Sequence, residues 1–396
     1  MSQADVGAFS ALRVRSYRGW FIAQVFSGSG NLTQAVGLAW LVYRLTGRGV
    51  DLGLLSVATF GPLLGLGLFA GVLLDHVDRR RVLIGTQVAF ISVASALGAL
   101  TLSGEIRLSI VFALAATSGV IVAIDAPARQ VYAVDMAGGA NTASAIGLFE
   151  ISINVSRVVG PAVAGILIST IGVGACFVFN AVTFLPPLLV LLSTRPDCCR
   201  PLSRLEAGLK HGVAQLRSER SLGAGLLIAV AGTFVFNTSV TLPVLATKAF
   251  GLGAAGYGTM VGCFGFGALP GAVAASRKLP GLLGPRVRTL CLAAGATVLA
   301  TACAPAAPLA FVGVAAAGFF SIWMIALANT MMQLRTPNPL RCRVMALWTM
   351  ALPGMNPVTG VLSGWAIQSA GARAGYGLGG AVLVGAGLLG WGALRD

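Results

Sequence analysis

The sequence contains little charge. Asp and Glu number only 12 and His only 2 among 396 residues, and charged residues make up 10% of the chain against 56% hydrophobic residues. A soluble domain of this length needs more charge to cover its surface. In lipid, the backbone polar groups of each segment must be satisfied internally, and no short alternating strands are present, so the long apolar runs predict helices. The composition therefore predicts an all-α polytopic membrane protein.

Motifs of common enzymes and pumps are also missing. The glycine-rich runs contain no G-x-x-x-x-G-K-[ST] phosphate-binding pattern, and no H-E-x-x-H sequence occurs. His76 and His211 both lie in loops that we expect to be cytoplasmic, which argues against a Ser-His-Asp set. The seven cysteines have no metal-ligand spacing, so we predict neither a metal site nor a disulfide. We therefore expect no cofactor, no ATP-driven pumping and no enzymatic activity.

Apolar segments long enough to span a bilayer recur along the chain. We predict twelve of them, at 19–43, 52–74, 82–104, 108–126, 143–169, 172–194, 222–247, 255–276, 287–304, 307–333, 344–368 and 374–394. The long polar stretch between the sixth and seventh divides the chain into a first bundle (1–194), a cytoplasmic linker (195–221) and a second bundle (222–396). The linker is equally compatible with a solvated segment and with an amphipathic helix on the inner leaflet.

The net charge of +15 is distributed as an orientation signal. With the N-terminus inside, all but six of the 27 Lys and Arg residues fall in inner loops and tails. The exceptions are Arg44, Arg48, Arg107, Lys248 and Arg373 near outer connections and Arg157 within a span. This asymmetry predicts cytoplasmic termini and argues against nucleic acid as a partner.

The connection between the second and third apolar segments is the most specific part of the sequence. It carries Gly71, Leu73, Asp75, Asp78 and the arginines 79–81 within a turn too short to be a domain. Positive-inside charge next to a membrane helix is one explanation of the arginines. The spacing is more specific, and it resembles the signature between the second and third helices of the major facilitator superfamily. Asp78 stands at the second glycine of that signature and His76 at its first basic position.

The resemblance extends over nearly the whole chain. Sequence features of the first half recur in the second half about 200 residues later. Two six-helix bundles related by an axis along the membrane normal are a known transporter architecture. Residues 127–130, 154–165 and 341–345 are similar to the subgroup of bacterial enterobactin-type exporters and macrolide-efflux carriers, with Cys342 in place of a glycine. The resemblance implies twelve transmembrane helices in two pseudo-symmetric six-helix bundles.

By this resemblance, the 71–81 segment is a conformational latch. Asp75 would accept hydrogen bonds at the N-terminus of the eleventh helix, where the helix dipole favours a carboxylate. The predicted latch residues are Gly71, Asp75, Asp78, Arg79, Arg80, Asp125, Arg341 and Arg343. In this prediction Arg79 pairs with Asp125, and Arg341 and Arg343 close a charge network with Asp75 or Asp78.

The fifth segment carries two further features. Gly160, Pro161 and Gly165 resemble the Gly-Pro motif of antiporters in the superfamily, although close helix packing is an alternative explanation. Glu150 and Arg157 are seven residues apart and share one helix face. One hypothesis is a structural pair that neutralises itself. The other is that Glu150 accepts a proton and Arg157 responds to it or to an anionic substrate.

Amides and aromatic side chains on the spans form a predicted substrate surface. In the superfamily the first, fourth, seventh and tenth helices line the cavity, and uncharged amides and aromatics there suit a bulky, partly apolar ligand. The candidates are Gln24, Asn31, Gln34, Asn154, Asn237, Trp323, Asn329, Gln333, Trp348 and Asn356. Taken singly, each is more often an interhelix hydrogen bond or a packing residue.

With this resemblance, the sequence predicts a proton-coupled efflux carrier of a bacterial inner membrane, which exports a drug-like or siderophore-like molecule by alternating access. Its expected partners are the lipid bilayer, the small-molecule substrate and protons, and we expect a monomer. A lysophospholipid flippase, an uptake carrier and a membrane-embedded sensor are the alternatives.

Overall fold

The computed structural model describes residues 9–74, 77–138, 141–194, 220–276, 283–336, 344, 348, 351–352 and 354–394. The elements of these residues are helical. After a 3₁₀ turn at Ser10–Arg13, they are α1 (Arg15–Thr46), α2 (Gly49–Leu74), α3 (Arg79–Leu102), α4 (Leu108–Ala137), α5 (Thr142–Thr170), α6 (Gly174–Thr183), α7 (Leu185–Ser193), α8 (Arg220–Phe236), α9 (Thr238–Val244), a π-helix (Leu245–Ala249), α10 (Ala254–Ser276), α11 (Leu283–Ala302), α12 (Ala307–Arg335), α13 (Asn356–Ala370) and α14 (Ala372–Leu389).

These helices coincide with the predicted membrane spans. Within the described residues, eight helices are long and apolar enough to cross a bilayer, and Gly49–Leu63 is a shorter apolar helix. Each of the twelve predicted segments contains at least one helix. The all-α prediction is therefore confirmed.

Two spans are divided. The sixth breaks at Phe184 before Pro186 and Pro187, which lack backbone N–H donors. The seventh breaks at Asn237, whose backbone (φ −78°, ψ 47°) leaves the helical region. This break places the Asn237 side chain at an irregular point of a buried span, where it reaches two other helices, α2 and α13.

The fourth span extends further than predicted. The apolar segment was expected to end at 126, with Asp125 at the cytoplasmic end of the helix, but α4 continues to Ala137 with Pro127 inside it. Asp125 and Arg129 lie one turn apart and form an ion pair, so both charges are accommodated within the helix. The predicted end was wrong, and polar residues expected to follow the span lie on α4.

The chain divides into two compact units. Unit 1 comprises Met1–Leu41 and Gly61–Arg204, and unit 2 comprises Val42–Phe60 and Leu205–Asp396. The short segment Val42–Phe60, which covers the end of α1 and the start of α2, packs within unit 2. The division into bundles 1–194 and 222–396 with a linker at 195–221 stays a prediction.

Unit 1 has a core of aromatic and aliphatic residues from α1, α3, α4, α5 and α7. Tyr17, Trp20, Leu83 and Tyr132 are each at most 1% exposed. The rings of Trp20 and Tyr132 meet edge to face at 5.3 Å between centroids, a geometry that adds to simple area burial. This core holds α1 against α4, the two helices that carry the polar residues described below.

In unit 2 the start of α2 lies directly on α13 at small residues. A Cβ added to Gly53 would lie 2.7 Å from the carbonyl oxygen of Gly360, and one added to Gly364 would lie 2.6 Å from that of Gly49. Such close approach of two backbones is possible only where both helices carry glycine. The packing of Val42–Phe60 within unit 2 is thus specified by four glycines.

Candidate functional site

A polar cavity of about 330 Å³ lies within unit 1 between α1, α4 and α5. Its lining residues are Gln24, Gly28, Asn31, Leu32, Val122, Asp125, Ala126, Arg129, Phe149, Ser152, Ile153, Ser156 and Arg157. Three of them were predicted as substrate-cavity or coupling residues from the sequence: Gln24, Asn31 and Arg157. The cavity combines charged and amide groups with apolar walls, as binding sites for small organic molecules do.

Asp125 is the buried acid of this cavity. Its residue is 1% exposed. Oδ1 accepts hydrogen bonds from Thr86 Oγ1 at 2.7 Å and from Gln87 Nε2 at 3.1 Å, and Oδ2 accepts from the guanidinium of Arg129. The two α3 donors and the α4 cation together compensate the cost of removing this carboxylate from water.

Arg129 connects that acid to α1. Its Nη1 donates to Oε1 of Gln24 at 3.2 Å. The side chain is 15% exposed and lines the cavity. Its Nε and the Nε2 of Gln24 are buried and have no hydrogen-bond acceptor among the described residues. The network therefore keeps unused donor capacity on two side chains that line the cavity.

α5 supplies the opposite wall. Ser152, Ser156 and Arg157 line the cavity, and Ser156 Oγ donates to the α5 carbonyl of Ser152 at 2.8 Å. The side chains of Glu150 and Asn154 lie outside the described residues, although the backbone there is helical. A pairing of Glu150 with Arg157 stays a prediction.

Gly160 brings α5 onto α1 beside this cavity. A Cβ at this position would lie 2.7 Å from Leu32 Cβ and 2.7 Å from the carbonyl oxygen of Ser29. Thr33 Oγ1 donates to the Gly160 carbonyl at 2.9 Å. Pro161 is buried within the helix, and Gly165 is half-buried one turn further on. The motif thus permits close packing, and its antiporter role stays a prediction.

Gln34 has a structural partner instead of a place in the cavity lining. Its Oε1 accepts from Asn180 Nδ2 at 2.9 Å, and both residues are buried between α1 and α6. The predicted substrate contact at Gln34 is replaced by an interhelix hydrogen bond, because the helix rotation from Gln24 to Gln34 turns the second amide toward α6.

The predicted cavity residues of the second half lie in unit 2, where Asn237 is the central one. It is 3% exposed. Its Oδ1 accepts from Ser56 Oγ at 3.4 Å, and its Nδ2 donates to the carbonyl of Asn356 at 3.2 Å and to Thr359 Oγ1 at 3.4 Å. Asn237 and Asn356 thus tie α2, α13 and the break in the seventh span together.

Three further candidates lie on α12. Gln333 Nε2 donates to Asn329 Oδ1 at 2.7 Å on an exposed surface. Trp323 packs edge to face on Phe319, with ring centroids 5.5 Å apart, and its buried Nε1 has no acceptor among the described residues. Trp348 of unit 2 is 2% exposed and belongs to the core.

A second, apolar cavity of about 680 Å³ lies within unit 2 and was not predicted. It is lined mainly by α11, α13 and α14 and includes Leu299, Trp365 and Arg373. The guanidinium of Arg373 donates to the carbonyls of Ala302 at 2.9 Å and Ala304 at 2.7 Å. This arginine caps the C-terminus of α11, where a cation is favoured.

The arginines of the 71–81 segment act separately. Arg79 is 5% exposed and donates to Asp135 Oδ2 at 3.1 Å. Arg80 donates to the carbonyls of Leu191 at 2.6 Å and Leu192 at 3.0 Å, at the end of α7. Arg81 forms an exposed ion pair with Asp78 at 3.6 Å. The expected pairing of Arg79 with Asp125 was wrong, because α4 continues for three more turns and presents Asp135 instead.

Other latch residues are only partly described. Asp78 begins α3, and its carboxylate accepts from the N–H of Arg80 at 2.9 Å, a helix N-cap. Gly71 lies in the last turns of α2. Asp75, Arg341 and Arg343 lie outside the described residues. The latch contacts of these three residues stay predictions.

Arg129, Thr86, Gln87 and Asp135 were missing from the predicted site. A signal for Arg129 was present, since an Asp and an Arg four residues apart share one helix face. The apparent end of the apolar segment at 126 hid that signal. Thr86 and Gln87 gave no signal, because a hydroxyl and an amide in a span are common and their partner lies 39 and 38 residues away.

Solved structures share this fold. A bacterial homolog to the human lysosomal transporter Spinster, in an inward-facing and occupied conformation, matches with a TM-score of 0.75 at 15% identity over 99% of this chain and 98% of that one. A bacterial homologue of the iron transporter ferroportin in an inward-facing state matches with a TM-score of 0.73 at 15% identity over 96% and 99%. At these identities the matches show the fold alone, which is the twelve-helix fold of the major facilitator type.

Sequence comparison identifies the family. The model of the transmembrane secretion effector family matches residues 6–393, and the chain belongs to that family. The multidrug efflux pump Tap of Mycolicibacterium fortuitum is 25% identical over 89% of both chains. The enterobactin exporter EntS of Shigella flexneri is 28% identical over 74% of this chain and 71% of that protein.

A third relative matches over part of its length. The staphyloferrin A transporter of Staphylococcus aureus is 26% identical over 56% of this chain and 57% of that protein. The chain thus spans little more than half the length of this relative. The family and these relatives are transporters, so the protein is a multi-pass membrane transporter and no enzyme.

Proposed function

We propose that the protein is a secondary active exporter of the bacterial inner membrane, which moves a drug-like or siderophore-like molecule outward in exchange for protons by alternating access. Relatives named as a multidrug efflux pump and an enterobactin exporter support export over uptake. The proposal has both termini in the cytoplasm, as the distribution of Lys and Arg predicts.

The buried charge network around the unit 1 cavity carries this proposal. Asp125 and Arg129 lie within the span Leu108–Ala137, and both line the cavity. Ionisable residues within membrane spans are costly and mark substrate or ion pathways.

Glu150 is the proton-binding carboxylate in this proposal. It lies on α5, two turns before Arg157, which lines the cavity. Proton binding at Glu150 would change the charge balance at Arg157 and so couple the proton gradient to the cavity. Asp125 already accepts three hydrogen bonds and holds Arg129, and we assign it a positioning role.

The experiment is transport in proteoliposomes with an imposed pH gradient and a fluorescent efflux substrate such as ethidium. The Glu150→Gln, Arg157→Gln double variant removes both charges, so it should fold, exchange the substrate downhill and fail at uphill transport. A protonophore should abolish uphill transport by the wild type. Normal uphill transport by the double variant would return this pair to a structural role.

The matched comparison is the Asp125→Asn, Arg129→Gln double variant. If Asp125 has only a positioning role, this variant keeps a response to the pH gradient even where its transport rate is reduced. Loss of gradient dependence here, with retention in the Glu150 variant, would move the proton site to Asp125. Transport that requires ATP would contradict the proposal as a whole.

The latch belongs to the same proposal. Asp75 would lie at the N-terminus of the eleventh span, next to Arg341 and Arg343, when the cavity faces outward. Asp75→Asn keeps the shape and removes the charge, an effect of about 0.3–2 kcal/mol on the conformational equilibrium. Cysteine accessibility measured from both sides of the membrane should then shift toward the inward-facing state, and unchanged accessibility would reject the latch.

A further inference from the structure

We infer that the unit 1 cavity contains an oxyanion-binding subsite formed by Gln24 and Arg129, and that the transported molecule carries a carboxylate or a similar oxyanion. This inference rests on the proposed function, because it takes the cavity as the place where the cargo binds.

The first argument is unused donor capacity. Gln24 is 5% exposed, lines the cavity and has an Nε2 group with no acceptor among the described residues. Nε of Arg129, on the neighbouring helix, is also buried and has no acceptor among the described residues. Buried donors normally have partners, so two orphaned donors on adjacent side chains require an explanation. An acceptor group that enters the cavity satisfies both after small side-chain rotations.

The second argument is what the charged groups of the cavity still offer a ligand. Among the described lining residues, Asp125 supplies a carboxylate, and Arg129 supplies the guanidinium beside it on α4. The carboxylate already accepts from Thr86, Gln87 and Arg129, so it offers little to a cationic ligand. The guanidinium of Arg129 has a planar fork of donors that matches carboxylate geometry. The occupied carboxylate and the donor geometry of Arg129 both favour an anionic group over a cationic one.

The remaining walls indicate what is attached to the anion. Leu32, Val122, Phe149 and Ile153 line the same cavity. An aromatic or aliphatic body suits these walls while its acid group meets Gln24 and Arg129. The ligand class is therefore an amphiphilic organic acid.

A matched pair of probes tests this inference. Dansylglycine carries a carboxylate, dansylglycinamide replaces it with a neutral amide, and both fluoresce more strongly in apolar surroundings. Binding is measured on the full-length protein in phosphatidylcholine nanodiscs without any gradient. We expect dansylglycine to bind at least about tenfold more tightly than its amide, as charge-assisted hydrogen bonds imply.

The variants separate the subsite from general hydrophobic binding. Gln24→Met removes the amide donors, and Arg129→Lys keeps the charge while removing Nε. Each should weaken dansylglycine about tenfold and leave dansylglycinamide within about twofold. The Asp125→Asn, Arg129→Gln double variant removes both charges together and should bring the two probes to parity. Gln130→Met is the control, since Gln130 is an exposed neighbour of Arg129 on α4.

The outcomes are distinct. Equal affinity of the wild type for both probes, or equal weakening of both probes by the variants, would overturn the subsite. Competition by phosphatidylglycerol in about 0.5 M salt, where surface charge is screened, would assign the oxyanion to a lipid headgroup and overturn a cargo site. A failure of proton coupling in proteoliposomes leaves these binding results intact, so the two proposals fail separately.

Discussion

Nη1 of Arg79 lies 3.1 Å from Oδ2 of Asp135, which ties the first residue of α3 to the last turn of α4. Arg80, the next residue, caps the C-terminal carbonyls of α7. Two adjacent arginines thus hold three helix ends of unit 1 together, and Arg81 alone remains at the surface. The run of three arginines carries three different roles.

This relationship predicts unequal effects of two similar substitutions. Arg79→Met leaves the largely buried Asp135 carboxylate without its guanidinium and should cost roughly 3 kcal/mol in the free energy of unfolding. Arg81→Met removes an exposed ion pair and should change stability by less than about 0.5 kcal/mol. Thermal unfolding in detergent, followed by size-exclusion chromatography with fluorescence detection, compares the two. Equal loss of stability would refute the separate roles.

The Asp125–Arg129 pair predicts a non-additive double-mutant cycle. Asp125→Asn or Arg129→Gln alone leaves one buried charge uncompensated and should destabilise the protein by roughly 3–5 kcal/mol. The double variant removes both charges and should recover most of that loss. The yield of monodisperse protein and the unfolding temperature in detergent provide the measurement. Additive losses would show that the two residues stabilise unit 1 independently.

The close contact of α5 with α1 at Gly160 predicts that a single added methyl group lowers the stability of unit 1. Gly160→Ala places a Cβ 2.7 Å from Leu32 and from the carbonyl of Ser29, so it should force α5 away from α1 and cost about 1–3 kcal/mol. Gly147→Ala is the control on the same helix, because a Cβ there meets nothing within 4 Å. Unfolding temperatures of the two variants decide the prediction, and a Gly160→Ala protein as stable as the control would contradict it.

The hydrogen bonds of Asn237 predict a loss of stability in unit 2 when this residue is replaced. Asn237→Leu removes the hydrogen bonds to Ser56, Thr359 and the Asn356 carbonyl and leaves buried polar groups unsatisfied, at a cost of about 1–3 kcal/mol. Asn329→Leu is the comparison, since that amide pairs with Gln333 on an exposed surface. Proteolysis of unit 2 under mild denaturant should be faster for the first variant only. Equal rates would show that the three bonds do not stabilise unit 2.

The sequence alone determined the helical class and the approximate positions of the described spans, because an uncharged run long enough to cross a bilayer is a local property of the chain. It also led to the superfamily through the 71–81 segment, and to Gln24, Asn31 and Arg157 of the cavity. These predictions depended on spacing along one helix or one turn.

Only the tertiary structure decided which polar groups meet. Asp125 accepts from Thr86 and Gln87 on α3, Arg129 reaches Gln24 across 105 residues, and Asn237 reaches Ser56 across 181. Pro127 and the charges around it indicated the end of a span, but the ion pair inside α4 let the helix continue. Arg79 therefore pairs with Asp135 and not with Asp125. Buried polar groups must find partners wherever packing places them, and packing depends on the rotation of each helix about its axis, which the spacing of residues along one helix does not specify.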